Sequence, residues 1–260
     1  MSVPFHRGAF SLPSWAHIGV KWKHKEGMHM KTKTLFAALS CAFLLAGCAT
    51  PMTSLTAEEA LPIAKDIIAK GQDEESAAYK ALNKGVLKVS GKIGDVAEVA
   101  EVRLDIDDNY YYIDATQDGK KEKIVAYVKA GDYYVYTQQE DDIVCYPYCQ
   151  EDLFNNAAMT PTILYALCIE LPYQALNAWV AAEGKPAEGT YRFTSGADNY
   201  FGVEFERTAS SDDEEGELVK ATFGFKDCLP SEFVGTMNDG SVLTVDYEFG
   251  DFEKVYPVLE

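Results

Sequence analysis

Residues Val96–Gln139 read VAEVAEVRLDIDDNYYYIDATQDGKKEKIVAYVKAGDYYVYTQQ. In the first segment, Val96 to Asp107, residues Ala100, Val102, Leu104 and Ile106 share one side of an extended chain, and Glu101, Arg103 and Asp105 share the other. A period of two marks a strand with one buried face, because successive strand side chains point to opposite faces. Asp107-Asp108-Asn109, Asp118-Gly119 and Gly131-Asp132 interrupt the alternation with residues that suit tight turns. Together with VLKVSGKIG (86–94) just ahead, the stretch predicts five strands of an antiparallel meander.

Outward from the meander the period changes. Upstream, TAEEALPIAKDIIAKGQ (56–72) has Thr56 and Glu59 in capping-box spacing, with Leu61, Ala64, Ile67 and Ile68 at helical intervals. Pro62 predicts a kink or a later start, since proline removes a backbone donor. A second helix is expected from Asp73 as N-cap through Tyr79 and Leu82 to Gly85. Downstream, EDLFNNAAMTPTILYALCIELPYQALNAWVAAEG (151–184) lacks alternation and predicts two or three short helices, with Pro161 at a start and a break near Pro172.

Strands resume in TYRFTS, YFGVEFERT, ELVKATFGFKD, FVGTMND and VLTVDYEFG, between Thr190 and Gly250. The run SSDDEEGE (Ser210–Glu217) reads as a solvated hairpin loop; it lacks the spaced ligands of an EF-hand calcium loop. The expectation is therefore an α+β domain dominated by a curved, mostly antiparallel sheet of about ten strands. In this half-barrel the N-terminal helices and the mid-chain helical insert pack on the concave face. No repeat and no internal linker divides residues 56–260, which are expected to form a single domain.

The first fifty residues are of another kind. From Met30, Lys31 and Lys33 precede the apolar run Leu35–Leu45, and small residues lead to Cys48. That is the layout of a secretory signal peptide, with an apolar run shorter than a membrane span. LAGC (Leu45, Ala46, Gly47, Cys48) resembles the lipobox of bacterial lipoproteins. The resemblance implies that Cys48 carries a diacylglyceryl group and becomes the new N-terminus. The same four residues also suit the end of a buried helix. On the lipoprotein reading, residues 1–29 are an upstream extension with Met30 as the start, 30–47 are the signal peptide and 48–55 are a tether. The protein is then expected at the cell membrane, lipid-anchored on its extracytoplasmic face.

Without residues 1–47 the chain loses six of its 23 basic and one of its 41 acidic residues, leaving a formal charge near −23. So acidic a surface repels nucleic-acid phosphates, and nucleic acid is excluded as a partner. All four histidines (His6, His17, His24, His29) lie before Cys48. What remains lacks the commonest general base and metal ligand. No phosphate loop, nucleophile elbow or dinucleotide fingerprint occurs, so no cofactor, no metal and no enzymatic activity are expected. Carboxylate pairs of the glycosidase kind remain a distant third reading. The four later cysteines, Cys145, Cys149, Cys168 and Cys228, are disulfide candidates in an exported chain. CYPYC favours pairing Cys145 with Cys149, leaving Cys168 for Cys228; a thiolate metal site or a redox pair is the alternative.

The strands are rich in rings, including Tyr110, Tyr111, Tyr112, Tyr127, Tyr133, Tyr134 and Tyr136. Core and edge packing accounts for many of them. A curved sheet under helices also encloses cavities too wide for side chains to fill. The expected lining is Ala100, Val102, Leu104 and Ile106 with Tyr112, Tyr127 and Tyr134. In the order of its elements the chain resembles the unclosed-barrel lipoproteins of the LolA, LppX and LprG type. Its ending, VLTVDYEFGDFEKVYP, is similar to a tail common among related Gram-positive lipoproteins (Phe252, Lys254, Val255, Pro257). The resemblance implies binding or transfer of a lipid-like molecule between sheet and helices. The rival expectation is a non-catalytic surface module, closed by its own side chains, that meets a protein or glycan partner.

Overall fold

The computed structural model describes residues 52–93, 96–117, 119–185, 189–209 and 217–257. The expected signal peptide, Cys48 and nearly all of the acidic loop at Ser210–Glu217 lie outside the described residues. Among those described, no helix is long and apolar enough to cross a membrane.

Strand β1 (Thr53–Leu55) leads into α1 (Ala57–Gln72), then α2 (Ala77–Ala81). The meander follows as β2 (Lys84–Ile93), β3 (Val96–Asp105), β4 (Tyr110–Gln117), β5 (Lys120–Lys129), β6 (Asp132–Gln139) and β7 (Asp142–Cys149). After α3 (Glu151–Ala181) come β8 (Thr190–Ser195), β9 (Tyr200–Glu206), β10 (Leu218–Lys226), β11 (Leu229–Met237) and β12 (Val242–Phe249). They form one unclosed sheet of twelve strands, in the order β1-β8-β9-β10-β11-β12-β2-β3-β4-β5-β6-β7. Where about ten strands were expected, the tether supplies β1 and CYPYC lies within β7.

The helices also depart from expectation. In α1 the Thr56–Glu59 capping box forms, with the Thr56 N–H donating to Glu59 Oε2 at 2.8 Å. The helix runs through Pro62, and Ala60, Ala64, Ile67 and Ile68 bury its inner face. α2 starts at Ser76, whose Oγ accepts from the Tyr79 N–H at 2.9 Å. Asp73 is occupied at the end of α1, where its N–H donates to the Ala69 carbonyl. Gly85 belongs to β2, and a Cβ there would lie 2.9 Å from the Tyr165 hydroxyl and 2.6 Å from the Glu248 carbonyl oxygen.

The largest correction is α3, a single helix of 31 residues with Pro161 and Pro172 buried inside it. Pro172 has no N–H to give the Cys168 carbonyl four residues earlier. Tyr247 on β12 makes up the loss, its hydroxyl donating to Cys168 O at 2.6 Å. At one end Phe154 packs edge-on to Tyr111 of β4 and against Tyr133 of β6; at the other Trp179 packs on Phe193 of β8 at 4.3 Å. The rise from Phe154 to Trp179 is about 38 Å, and the eight strand spacings from β5 to β8 are also about 38 Å. One unbroken rod thus reaches across most of the sheet.

The four cysteines are free thiols. Cys145 and Cys149 are four residues apart on an extended strand, roughly 13 Å, whereas a disulfide needs Cα atoms within about 7 Å. Register also sends Cys145 to one face, opposite Tyr136, and Cys149 to the other, beyond a bulge. The expected Cys145–Cys149 loop is therefore replaced by a strand.

Candidate functional site

The two faces of the meander can be assigned from its register. Val102 faces Ile113 across β3–β4, and Ile113 faces Ile124 across β4–β5. Ala100, Val102 and Leu104 lie on this side, under α3, and Ile106 packs against the same core just past the end of β3. Arg103 instead faces Tyr112, Tyr110 faces Tyr127, and Tyr127 faces Tyr134. Tyr112, Tyr127 and Tyr134 therefore lie on the opposite side. The expected lining is split between two faces, because a strand sends neighbouring residues to opposite sides. In the run Tyr110-Tyr111-Tyr112 it is Tyr111 that meets the helix, against Phe154.

The helix-covered side is filled. Leu87, Val102, Leu104, Leu176, Phe223 and Phe233 are each no more than 1% exposed and pack into one cluster. Trp179 and Phe225 complete the layer at 1% and 0%. Among the described residues, Val102 and Leu104, expected to line a cavity, are buried against other side chains beneath α3.

On the other side the C-terminal segment 250–257 crosses back as a strap. Phe252 and Val255 pack on Tyr110, Tyr112, Val125 and Tyr127. Tyr256 stands edge-on to Tyr127 at 4.9 Å, and Tyr127 stacks on Tyr134 at 5.0 Å. The Tyr110 hydroxyl donates to Val255 O and accepts from Val255 N–H, each at 3.0 Å. Burial pushes the Tyr110 phenol up to about 12, and the partner Val255 offsets only part of that rise.

The strap is pinned by charge. Asp105, 1% exposed at the end of β3, takes Lys254 at 2.9 Å and Lys84 at 3.1 Å; Lys254 also reaches Asp108. Burial alone would raise the Asp105 pKa, but hydrogen bonds from Lys254, from Lys84 and from the Asp108 N–H outweigh it and hold the carboxyl below its ordinary value. A carboxylate kept ionised in this way is a fixed anion, the opposite of the proton donor that glycoside hydrolysis requires.

A cleft of about 850 Å³ opens between α1, α2 and the two turns β8–β9 and β10–β11. Ile63, Ile67, Ala78 and Phe201 give it an apolar wall, and Asp66, Lys70, Asp73, Asn199, Asp227 and Cys228 a polar one. Asp198 and Asn199 in one turn, and Asp227 and Cys228 in the other, all have φ between 51° and 68°. Two successive positive φ values make the mirror-image turns that suit hairpins. The turns are stapled together by Asn199 Nδ2 donating to Asp227 Oδ1 at 2.7 Å and by Lys226–Asp198 at 3.1 Å. The Tyr173 hydroxyl donates to Cys228 O at 2.7 Å, which ties the rim to α3.

Three of the thiols are held toward their protonated form by burial. Burial raises the Cys228 pKa more than the neighbouring Lys70 lowers it, and burial pushes Cys168 up to about 12 and raises Cys149. Nucleophilic and redox cysteines need the reverse shift. Among the described residues, no group of three or more His, Cys, Asp or Glu is placed to hold a metal ion.

The sequence reading missed this cleft, because its residues come from four separate segments. It also missed the Asp105–Lys254 clamp, because Asp105 reads as one more acid on the polar side of its strand, beside Glu101 and Arg103. Compared with known proteins, the chain matches no family model and no curated relative.

Proposed function

We propose that this chain is a lipid-anchored, extracytoplasmic, non-catalytic module that works by binding a protein or glycan partner at its surface. Its sheet is read as a half-barrel whose hollow side is closed by α1 and α3, with Cys48 as the acylated tether. The observation that carries the reading is the filled layer beneath α3, where Val102 and Leu104 meet other side chains. Such burial, among the described residues, resembles an ordinary packed core more than the lining of a cavity. The depressed Asp105 carboxyl and the raised thiols agree with a role outside catalysis.

A second reading keeps a small ligand and moves it to the cleft beside α1. Its volume, about 850 Å³, lies in the range of small-molecule sites, roughly 300–1,000 Å³. Its mixed apolar and charged walls suit an amphiphile better than an acyl chain.

Native mass spectrometry of the protein extracted from cell membranes in mild detergent tests both readings. The expected species starts at Cys48, bears covalent acyl groups and holds no further lipid. Stoichiometric non-covalent lipid would overturn the surface-module reading in favour of a carrier, and an unmodified chain retaining residues 1–47 would overturn the anchor.

A further inference from the structure

The two edges of the sheet are protected to different degrees. β1 is only three residues long, and shortness is a common way to blunt an edge. β7, at the other end, has eight residues, all of them exposed except Cys149, which is half-buried. Ile143, Val144, Tyr146 and Tyr148 are 41–71% exposed. From Ile143 to Gln150 there is no charged side chain; Pro147 and the bulge beside it blunt only the far end of the edge. Acids bracket that neutral stretch, with Glu140, Asp141 and Asp142 at one end and Glu151 and Asp152 at the other.

This charge pattern distinguishes between partners. Two copies joined by centred antiparallel pairing of β7 would set Asp142 of one against Cys149 of the other, and Glu140 against Glu151. Like charges would meet at both ends, and such juxtaposition disfavours the wrong partner. A strand with basic ends and a neutral middle meets the opposite field. Beside the edge, the Tyr134 and Tyr148 rings lie 5.4 Å apart on the face that the strap crosses. On the same face Tyr112 already takes cations, with Arg103 at 5.2 Å and Lys123 at 5.1 Å from its ring centre. Tyr148, the exposed ring of the Tyr134–Tyr148 pair, offers the same contact to an incoming Lys or Arg.

We propose that β7 is a docking edge for an extended segment of another protein that carries Lys or Arg on both sides of a short uncharged stretch. The segment adds as a thirteenth strand: its backbone completes the open ladder, and its cations meet the two acidic ends and the Tyr134–Tyr148 pair. This deepens the surface-module reading and rests on it. It does not depend on the anchor, so binding and acylation fail separately.

The test uses the full chain in detergent and a fluorescent peptide of roughly twelve residues, long enough to span β7. The peptide alternates Thr and Val between paired Lys at each end; a control carries Glu in place of Lys. Anisotropy is expected to show the Lys peptide binding at least about tenfold tighter than the control, more weakly as salt rises. Hydrogen exchange should slow within 143–147. Reversing one exposed acid at each end, with Asp142→Lys and Asp152→Lys together, is expected to abolish that preference, and Cys145→Pro to remove binding without altering charge. Should Cys145→Pro impair folding, the charge pair still decides. Equal affinity for both peptides, no binding, protection elsewhere, a preference that survives the charge reversal, or self-association of the free chain through β7 would each overturn the proposal.

Discussion

The two faces of the meander are built from the same strands, one residue out of phase, and they are covered by different means. Under α3 the contact is mostly apolar, with aromatic rings from β8, β10 and β11 meeting one helix and two tyrosine hydroxyls bonding backbone carbonyls. Under the strap it is tyrosine, held by a clamp of one buried carboxylate and two lysines. A long helix covers its face mainly by area, which needs no particular charge state. Eight residues of strap offer little area, so directional bonds must hold them.

The helix face should lose most when cut. Trp179→Ala is expected to cost about 4 kcal/mol, the range for a large buried ring, read as a lowered denaturant midpoint; under 1 kcal/mol would mean that the far end of α3 does not matter. Next comes the clamp. Asp105→Ala should cost about 2–3 kcal/mol, less than a fully dry ion pair because Lys84 and Lys254 keep some contact with water. The same variant should release the strap, so brief trypsin treatment is expected to cut after Lys254 in the variant and spare it in the parent.

Tyr247→Phe should cost roughly 1–2 kcal/mol, because the Cys168 carbonyl beneath Pro172 loses its substitute donor. A neutral result would mean that α3 tolerates two internal prolines for some other reason. Tyr110→Phe, which removes both bonds to Val255, should cost about 1 kcal/mol and loosen only the strap.

The smallest effect separates the faces by pH. Asp105 has its folded pKa below its unfolded value, so its contribution is present above the ordinary carboxylate value of 3.8 and is lost as pH falls through the folded pKa. Tyr110 has its folded pKa raised from 10.0 to about 12, so its contribution is present below 10.0 and is lost as pH rises through about 12. Loosening of the strap, read by the NMR signals of Val255, should therefore appear at both extremes while the Trp179 indole signal stays unchanged. Simultaneous loss of both signals would show that the faces unfold as one.

Much of the fold was legible locally. Every strand of the second half overlaps the segment expected for it, although β11 starts at Leu229, four residues ahead of FVGTMND, and the capping box at Thr56 starts α1 as its spacing requires. The errors were at residues whose partners are distant. Pro172 reads as a breaker until Tyr247, 75 positions later in the chain, supplies the missing donor. CYPYC reads as a crosslinked loop until β6 pairs with it. Tyr112, Tyr127 and Tyr134 read as cavity lining because rings are equally at home on either face, and periodicity within one strand does not say which face its neighbours share.

By itself the sequence determined the alternation of strands and turns, the strongly acidic character, and the absence of histidine beyond residue 29. These follow from residue type and spacing, and need no partner. Only the tertiary structure decided which tyrosines face the helix and which face the strap, that α3 continues through two prolines, and that a neutral strand is left open at the sheet's end. Each of those depends on register and on contacts across long loops, where a one-residue shift in pairing exchanges the faces and leaves the local pattern untouched.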